Sequence, residues 1–376
     1  MTDWSTAATI AAEHAEATET GGAVARPVID ALVEAGIMKL WVPARYGGGE
    51  TDLLTALEAI AAISRSCGSA GWVVMIANTT GLLASRLEPD AADLMFGAPD
   101  AICGGFAPPV GVATVCGSMA KVTGQWAWGS GSSHATTMGG GVRYVDPDGA
   151  PTQIAGSRSG FAFFRSGVEL LDTWHVAGLE GTASTDYRVD AMEIPVAHIA
   201  PMDKRVLEVD GPLYRCSIFG ALALGVSMVL VGLGERAIDE LVELAAKMPQ
   251  GSTRGLGERA GVQVDIAKAE AGLRAARALV GETVAAAWDD VLADGRVSDD
   301  SRVALRLAAN HAADAGVAAV DRCYRAAGGT AVYKRSPMQR VFRDAHVATQ
   351  HAMISERVYE PIGRFRFGLD TDLRPL

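Results

Sequence analysis

The chain has 376 residues, 49% hydrophobic and 20% charged, enough apolar material for a large core and too much chain for one, so two or three domains are expected. Its 33 Lys and Arg against 44 Asp and Glu give a formal charge of −11 with no basic run, which excludes a nucleic-acid partner. Five scattered cysteines without a Cys-x-x-Cys pair exclude a disulfide framework and a structural metal, and fit a reducing, cytoplasmic compartment.

The start, "MTDWSTAATIAAEHAEATE", has acids where a signal peptide needs basic residues, so no leader is expected. Residues 5–98 read as helices, rich in Ala and Glu with apolar residues recurring at three and four. One loop, "VPARYGGGETD" at 42–52, interrupts them, and Thr51 or Asp52 is placed to cap the next helix. From about Ala101 to Ala200 short Val, Thr, Phe and Trp runs are broken by Gly, Pro, Ser and Asp, the texture of a β domain. Helical periodicity returns near 214–246, 258–294, 299–327 and 337–363, an antiparallel bundle with Gly-rich connections. Its most apolar run, "GALALGVSMVLVGLG" at 220–234, is too short to span a bilayer, so no membrane is expected. Ala and Val on more than one face of these helices point to a homo-oligomer. The division is therefore an N-terminal helical domain (1–100), a middle β domain (101–210) and a C-terminal bundle (211–376).

This order, mostly α with a β domain in the middle, resembles the acyl-CoA dehydrogenase fold, and four local motifs carry the likeness in the right order. "VPARYGGGETDLLTALEAIAAISRSCGSAGW" resembles the family's N-terminal loop and following helix, and "GQWAWGSGSSHA" its flavin-contacting β-domain turn. "LLDTWHVAGLEGTASTDYRVDAMEIP" resembles the next hairpin, and "AAGGTAVYKRSPMQRVFRDAHVATQH" the last bundle loop and helix. The dehydrogenases carry a catalytic Glu a fixed distance after their Arg-Asp pair. From Arg343-Asp344 that position falls on Ala352, so the base of that reaction is missing. A His in this helix resembles instead the oxygenase component of two-component flavin monooxygenases, of the hydroxyphenylacetate, hydroxy-seco-steroid and dibenzothiophene type, and His351 is the residue that matches.

Such an enzyme takes reduced flavin, FMNH2 or FADH2, from a separate reductase, reacts it with O2 to a C4a-hydroperoxyflavin, and hydroxylates a small hydrophobic, aromatic or heterocyclic molecule. His351 and Ser130 are the expected catalytic residues, His351 as a base near neutrality. On a helical wheel His346 lies about 140° from His351, so the pair cannot share a metal and His346 is structural. A Ser–Gly turn offers hydroxyl and backbone N–H groups to a flat ring, which makes Gly129, Ser130 and Gly131 cofactor contacts. Trp126 is counted with them, although Trp126 and Trp128 alternate on one face and suit either a core or an isoalloxazine neighbour. The resemblance places the flavin's phosphate tail on Arg254, Gly328 and Gly329, partly from a neighbouring subunit of a homotetramer. Ser336 and Pro337 read first as a helix start. Aromatic oxygenases of this kind carry a further His after "GW", where this chain has Asn78 or Thr79. Asn78 and His134 are then the expected substrate contacts, and an indole, polyketide ring, sulfur heterocycle or amine remains open as substrate. An acyl-CoA dehydrogenase with a relocated base and a catalytically silent scaffold are the rival readings.

Overall fold

The computed structural model describes residues 4–202, 207–246 and 255–373. Six helices come first: α1 (Ser5–Glu13), α2 (Ala15–Gly21), α3 (Arg26–Glu34), α4 (Leu53–Ser66), α5 (Gly68–Gly81) and α6 (Pro89–Phe96). Helix α4 starts where the sequence places it, because the Asp52 carboxylate accepts the Thr55 N–H at 2.9 Å. Helix α5 is buried on every side. Its small leading residues let it approach α4 so closely that a Cβ on Gly71 would lie 1.9 Å from Ser64 Oγ.

Seven strands follow: β1 (Cys103–Cys116), β2 (Met119–Gly129), β3 (Thr137–Val145), β4 (Ser159–Phe164), β5 (Glu169–Leu171), β6 (Thr185–Pro195) and β7 (Ile199–Pro201). They form one sheet in the order β5-β6-β2-β1-β3-β4-β7, with β1 and β3 parallel and every other pair antiparallel. A register shift in β2 between Trp126 and Gly129 separates the two tryptophans that alternation would place on one face. Trp126 is fully buried, whereas Trp128, at φ +56°, is 58% exposed. Burial of one indole is worth roughly 4–6 kcal/mol in transfer free energy, an upper bound because the unfolded chain is itself partly collapsed.

The C-terminal part comprises α7 (Pro212–Arg215), α8 (Ile218–Ala245), α9 (Ala260–Asp294), α10 (Asp299–Ala327), α11 (Pro337–Ala348) and α12 (Tyr359–Arg366). The apolar run at 220–234 belongs to α8, which at 28 residues is long enough to cross a bilayer. It is instead the central core helix, covered by α4, α5, α10 and α11, with 78% of its apolar window buried. Its apolar faces are thus covered within the chain, while α9 buries a single stripe from Ala269 to Val291. The helix expected over 337–363 is shorter. Helix α11 ends at Ala348, two 3-10 turns follow, and α12 starts at Tyr359. The break is local: His351 is extended (φ −71°, ψ 128°), and its own Nδ1 takes the Met353 N–H at 3.3 Å that a continuing helix would direct to a carbonyl. Asn310 Nδ2 holds the Ser355 carbonyl at 3.0 Å from α10. Ser336 stands at the N-cap position of α11, with Pro337 inside the first turn, but its hydroxyl makes no cap bond.

Candidate active site

Trp72 is the first bulky side chain of α5 and reaches between the β domain and the turn after α11. Its indole meets the His351 ring edge to face, centroids 5.7 Å apart and planes at 70°. Its Nε1 donates to Ser130 Oγ at 3.1 Å. The two residues expected to be catalytic, 221 positions apart by their numbers, therefore both touch the Trp72 side chain.

Ser130 is buried at the end of β2 and heads a chain of hydroxyls: its Oγ lies 2.7 Å from Ser184 Oγ, which lies 2.7 Å from Thr182 Oγ1. Thr182 donates to the Leu179 carbonyl at 2.8 Å. Each hydroxyl has one proton, so this last bond fixes the direction of all the others. Ser184 must donate to Thr182, Ser130 must donate to Ser184, and Ser130 receives the Trp72 N–H. One lone pair is left on Ser130, free to accept from one further N–H or O–H donor. The turn itself is held by Gly131 N donating to Thr182 O at 2.8 Å and Ser132 Oγ donating to Ala183 O at 2.7 Å, with Gly131 at φ +77°.

The loop carrying these hydroxyls is pinned to α11. Asp344 is buried and its Oδ1 accepts the Leu179 N–H at 2.6 Å. Burial pushes its carboxyl up to about 7, against the pull of that N–H and of Arg340. Gly178 is required here, since a Cβ would stand 2.5 Å from the Arg343 backbone. Arg343 ties the same loop through Ala177 O and Glu180, and reaches Glu19 of α2.

His351 is unlike the base expected from the sequence. Burial, with a smaller contribution from the positive charge of Arg306, drives its imidazole down to about 4, so it is neutral at physiological pH. Because Nδ1 accepts from Met353, the ring proton sits on Nε2. His351 is a hydrogen-bond donor in this arrangement. His346 lies apart, its Nε2 3.0 Å from Asp321 and its ring against Phe342.

Several expected site residues are placed elsewhere. Asn78 is fully buried with its amide consumed: Oδ1 accepts Trp41 N at 3.2 Å, and Nδ2 donates to Ile37 O and Val74 O at 2.8 and 2.9 Å. Nothing of it is left for a substrate. Trp126 is core, stacked on Tyr187 at 5.5 Å with Nε1 bonded to Gly141 O at 2.9 Å, so no face remains for a cofactor. His134 faces the Val24 backbone, Arg26 and Asp30, and burial lowers its pKa; its buried Nε2 has no partner. It is a neighbour of the α2–α3 connection, not of His351. Gly129 packs under Tyr187 and Met138, so it shapes the turn from behind. Gly328 and Gly329 are at the end of α10, beside the exposed Val332 and Tyr333. Arg254 lies outside the described residues.

Trp72, Thr182, Ser184, Asp344 and Arg306 join this neighbourhood only through the fold, and little in the local sequence marks them. The signals present were a lone Arg inside the apolar run "VALRLAAN" and the hydroxyl spacing of "GTAST".

The chain matches the family model for the acyl-CoA dehydrogenase N-terminal domain over residues 5–86 and that for the C-terminal domain over 224–356. It is 32% identical over 349 residues to an indole-3-acetate monooxygenase of Pseudomonas putida, covering 92% of this chain and 87% of that protein. It is 28% identical to the oxygenase subunit HsaA of a flavin-dependent monooxygenase of Rhodococcus jostii, covering 95% of each. The solved structure of XiaF from Streptomyces sp., in complex with FADH2 and glycerol, superposes with a TM-score of 0.87 at 26% identity, covering 96% of this chain and 93% of that one. With a site that lacks a dehydrogenase carboxylate at Ala352 and offers a hydroxyl acceptor and an imidazole donor around one indole, the chain belongs to the flavin-dependent monooxygenases of acyl-CoA dehydrogenase fold, as the oxygenase component of a two-component system using reduced flavin and O2.

Proposed function

We propose that this enzyme hydroxylates an aromatic or heterocyclic ring held between His351 and the β-domain turn at Ser130, and that these two residues carry the reaction. The supporting observation is the forced direction of the Trp72–Ser130–Ser184–Thr182 hydrogen bonds, which leaves Ser130 an acceptor. Reduced flavin presents an N–H at N5 and oxidised flavin does not, so the residues present fit the reduced form. When bound, the reduced flavin supplies the electrons that activate oxygen. Ser130 would accept an N–H of the bound ring and fix its orientation. His351, neutral and protonated on Nε2, would donate a hydrogen bond to an oxygen of the substrate. Trp72 covers both residues and keeps water from the space between them.

The finer features of the enzyme are part of the same reading. The flavin tail is assigned to Arg254, Gly328 and Gly329, in a cytoplasmic homotetramer divided at 1–100, 101–210 and 211–376. A separate reductase supplies the flavin, as the relatives named as oxygenase subunits or components imply. The substrate is hydrophobic.

The test is a stopped-flow experiment in which the purified protein with reduced FMN or FADH2 meets oxygenated buffer. A transient near-ultraviolet band preceding oxidised flavin is expected, and its lifetime should shorten in Ser130→Ala and His351→Ala. Flavin oxidation at the rate seen without protein would overturn the reading.

A further inference from the structure

Ser130, Trp72 and His351 belong to three separate parts of the chain, and Asp344 is where those parts meet. It lies in α11, one turn before the end of that helix at Ala348, and the His351 N–H is bonded to Ala348 O at 3.2 Å. Its Oδ1 accepts the Leu179 N–H at 2.6 Å, and Leu179 O is the carbonyl on which the Ser130–Ser184–Thr182 hydroxyls terminate. Its Oδ2 faces the first residue of α5, since a Cβ on Gly68 would stand 3.0 Å from it, and Trp72 follows one turn along that helix. The arginines of its own helix are engaged elsewhere, Arg340 with Glu19 and Arg343 with Glu19 and Glu180.

Two glycines make room for this junction. A Cβ on Gly178 would stand 2.8 Å from Asp344 N, and one on Gly68 would meet Leu233 Cδ2 at 2.9 Å as well as the Asp344 carboxyl. The loop that reaches Asp344 is not held by its own conformational preference. Leu179 and Ala183, at φ +53° and +46°, are non-glycine residues in the left-handed region on either side of the short turn Glu180–Thr182. Such a segment keeps its shape because its surroundings hold it. From it Thr182 O takes the Gly131 N–H at 2.8 Å and Ala183 O takes the Ser132 hydroxyl at 2.7 Å, so the turn at Ser130 inherits its position. A shift of residues 179–184 therefore moves Ser130 against His351, which follows α11, and against Trp72, which follows α5.

We propose that Asp344 is a positioning residue for the reaction: by joining the Leu179 loop and the start of α5 to α11, it fixes Ser130 and Trp72 relative to His351. It acts through Leu179 and Gly68, not by contact with the reacting atoms. The inference rests on the oxygenase reading of the Ser130–His351 site and names the residue that holds that site together. Leu179 requires an acceptor of Asp344 and not a charge, so an amide of the same shape serves and an apolar side chain does not. Misplacement of a site by about 1 Å costs on the order of a hundredfold in rate, so a loosened junction is felt at the reaction before it is felt in the fold.

The experiment takes the full-length protein and two readouts at one fixed pH: amide hydrogen exchange without flavin, and the lifetime of the near-ultraviolet transient with reduced FMN or FADH2. Asn78→Ala, a core variant away from the site, is the control for lost stability. Asp344→Leu should raise exchange across residues 129–135 and 177–185 about tenfold or more above Asn78→Ala, leave α10 at the level of that control, and shorten the transient about 10- to 100-fold. Asp344→Asn should stay within about threefold of wild type in both. Gly68→Ala presses on the Asp344 carboxyl without removing it and should move both readouts the same way by a smaller factor; it decides the matter if Asp344→Leu does not fold. Exchange and lifetime in Asp344→Leu no different from Asn78→Ala overturn the proposal. A loosened loop with an unchanged lifetime also overturns it, because the junction would then be structural only. So does Asp344→Asn as impaired as Asp344→Leu, which would assign the role to the charge. Failure of the oxygenase reading shows separately, as the absence of the transient in wild type, while the flavin-free exchange still reports whether the junction holds the loop.

Discussion

The indole of Trp72 meets the imidazole of His351 edge to face at 5.7 Å and with the same ring donates a hydrogen bond to Ser130. One side chain of α5 thereby sets the positions of two residues from distant parts of the chain. Trp72→Phe keeps the ring contact and removes the donor. It should cost about 1 kcal/mol in urea unfolding and loosen Ser130, read as faster decay of the near-ultraviolet transient. An unchanged transient would mean that Ser130 is held by Ser184 alone.

Ser184→Ala tests the direction of the hydroxyl chain. With Ser184 gone, Ser130 has its proton free and becomes a donor toward the site. Oxidised flavin, whose N5 accepts, should gain affinity relative to reduced flavin, by about tenfold for one hydrogen bond exchanged. Titration of both redox forms against wild type and variant gives the ratio. An unaltered ratio would sink the assignment of Ser130 as an acceptor.

The pH dependence of stability should contain two opposed slopes. His351 titrates near 4 in the folded state against an ordinary 6.5, so the unfolded chain binds the extra proton between these values and stability falls as pH drops from 6.5 to 4. Asp344 titrates near 7 against an ordinary 3.8, so its contribution is full below about 4 and is lost as pH rises to 7. Each slope is worth roughly 3–4 kcal/mol at most, and in the wild type they largely cancel. Asp344→Asn, which keeps an acceptor for Leu179, should leave stability rising with pH from 4 to 6.5. His351→Gln should leave it falling from 4 to 7. Parallel profiles for the two variants would contradict both shifts.

Asn78→Ala removes an amide that satisfies Trp41, Ile37 and Val74 in the core. The expected loss is about 2–4 kcal/mol of stability, with substrate and flavin affinity unchanged in the folded fraction. A selective loss of substrate binding would restore Asn78 to the site.

Much of the fold was readable because it depends on local periodicity and composition. The switch from helical spacing to short β runs and back follows the observed elements, and Asp52 caps α4 as its position suggests. The end of the last long helix was not readable, because the competitor at Met353 is the His351 side chain itself and the Ser355 carbonyl is held by Asn310 from another helix. Alternation of period two puts Trp126 and Trp128 on one face, and a bulge shifts that register without a residue that marks it.

By itself the amino-acid sequence determined the order of helices, sheet and bundle and the absence of a carboxylate at Ala352, and it put Ser130 and His351 forward as candidates, since residue identity at a motif position does not depend on packing. Only the tertiary structure decided what those residues can do. Whether an imidazole is a base or a donor depends on burial, on Met353 at one nitrogen and on Arg306 beyond it. Whether a serine accepts or donates depends on a carbonyl three hydrogen bonds away. Asn78, a plausible ligand contact by position, is a structural amide because three backbone groups reach it first. Protonation and hydrogen-bond direction are set by long-range neighbours in a low-dielectric interior, and these come together only when the chain folds.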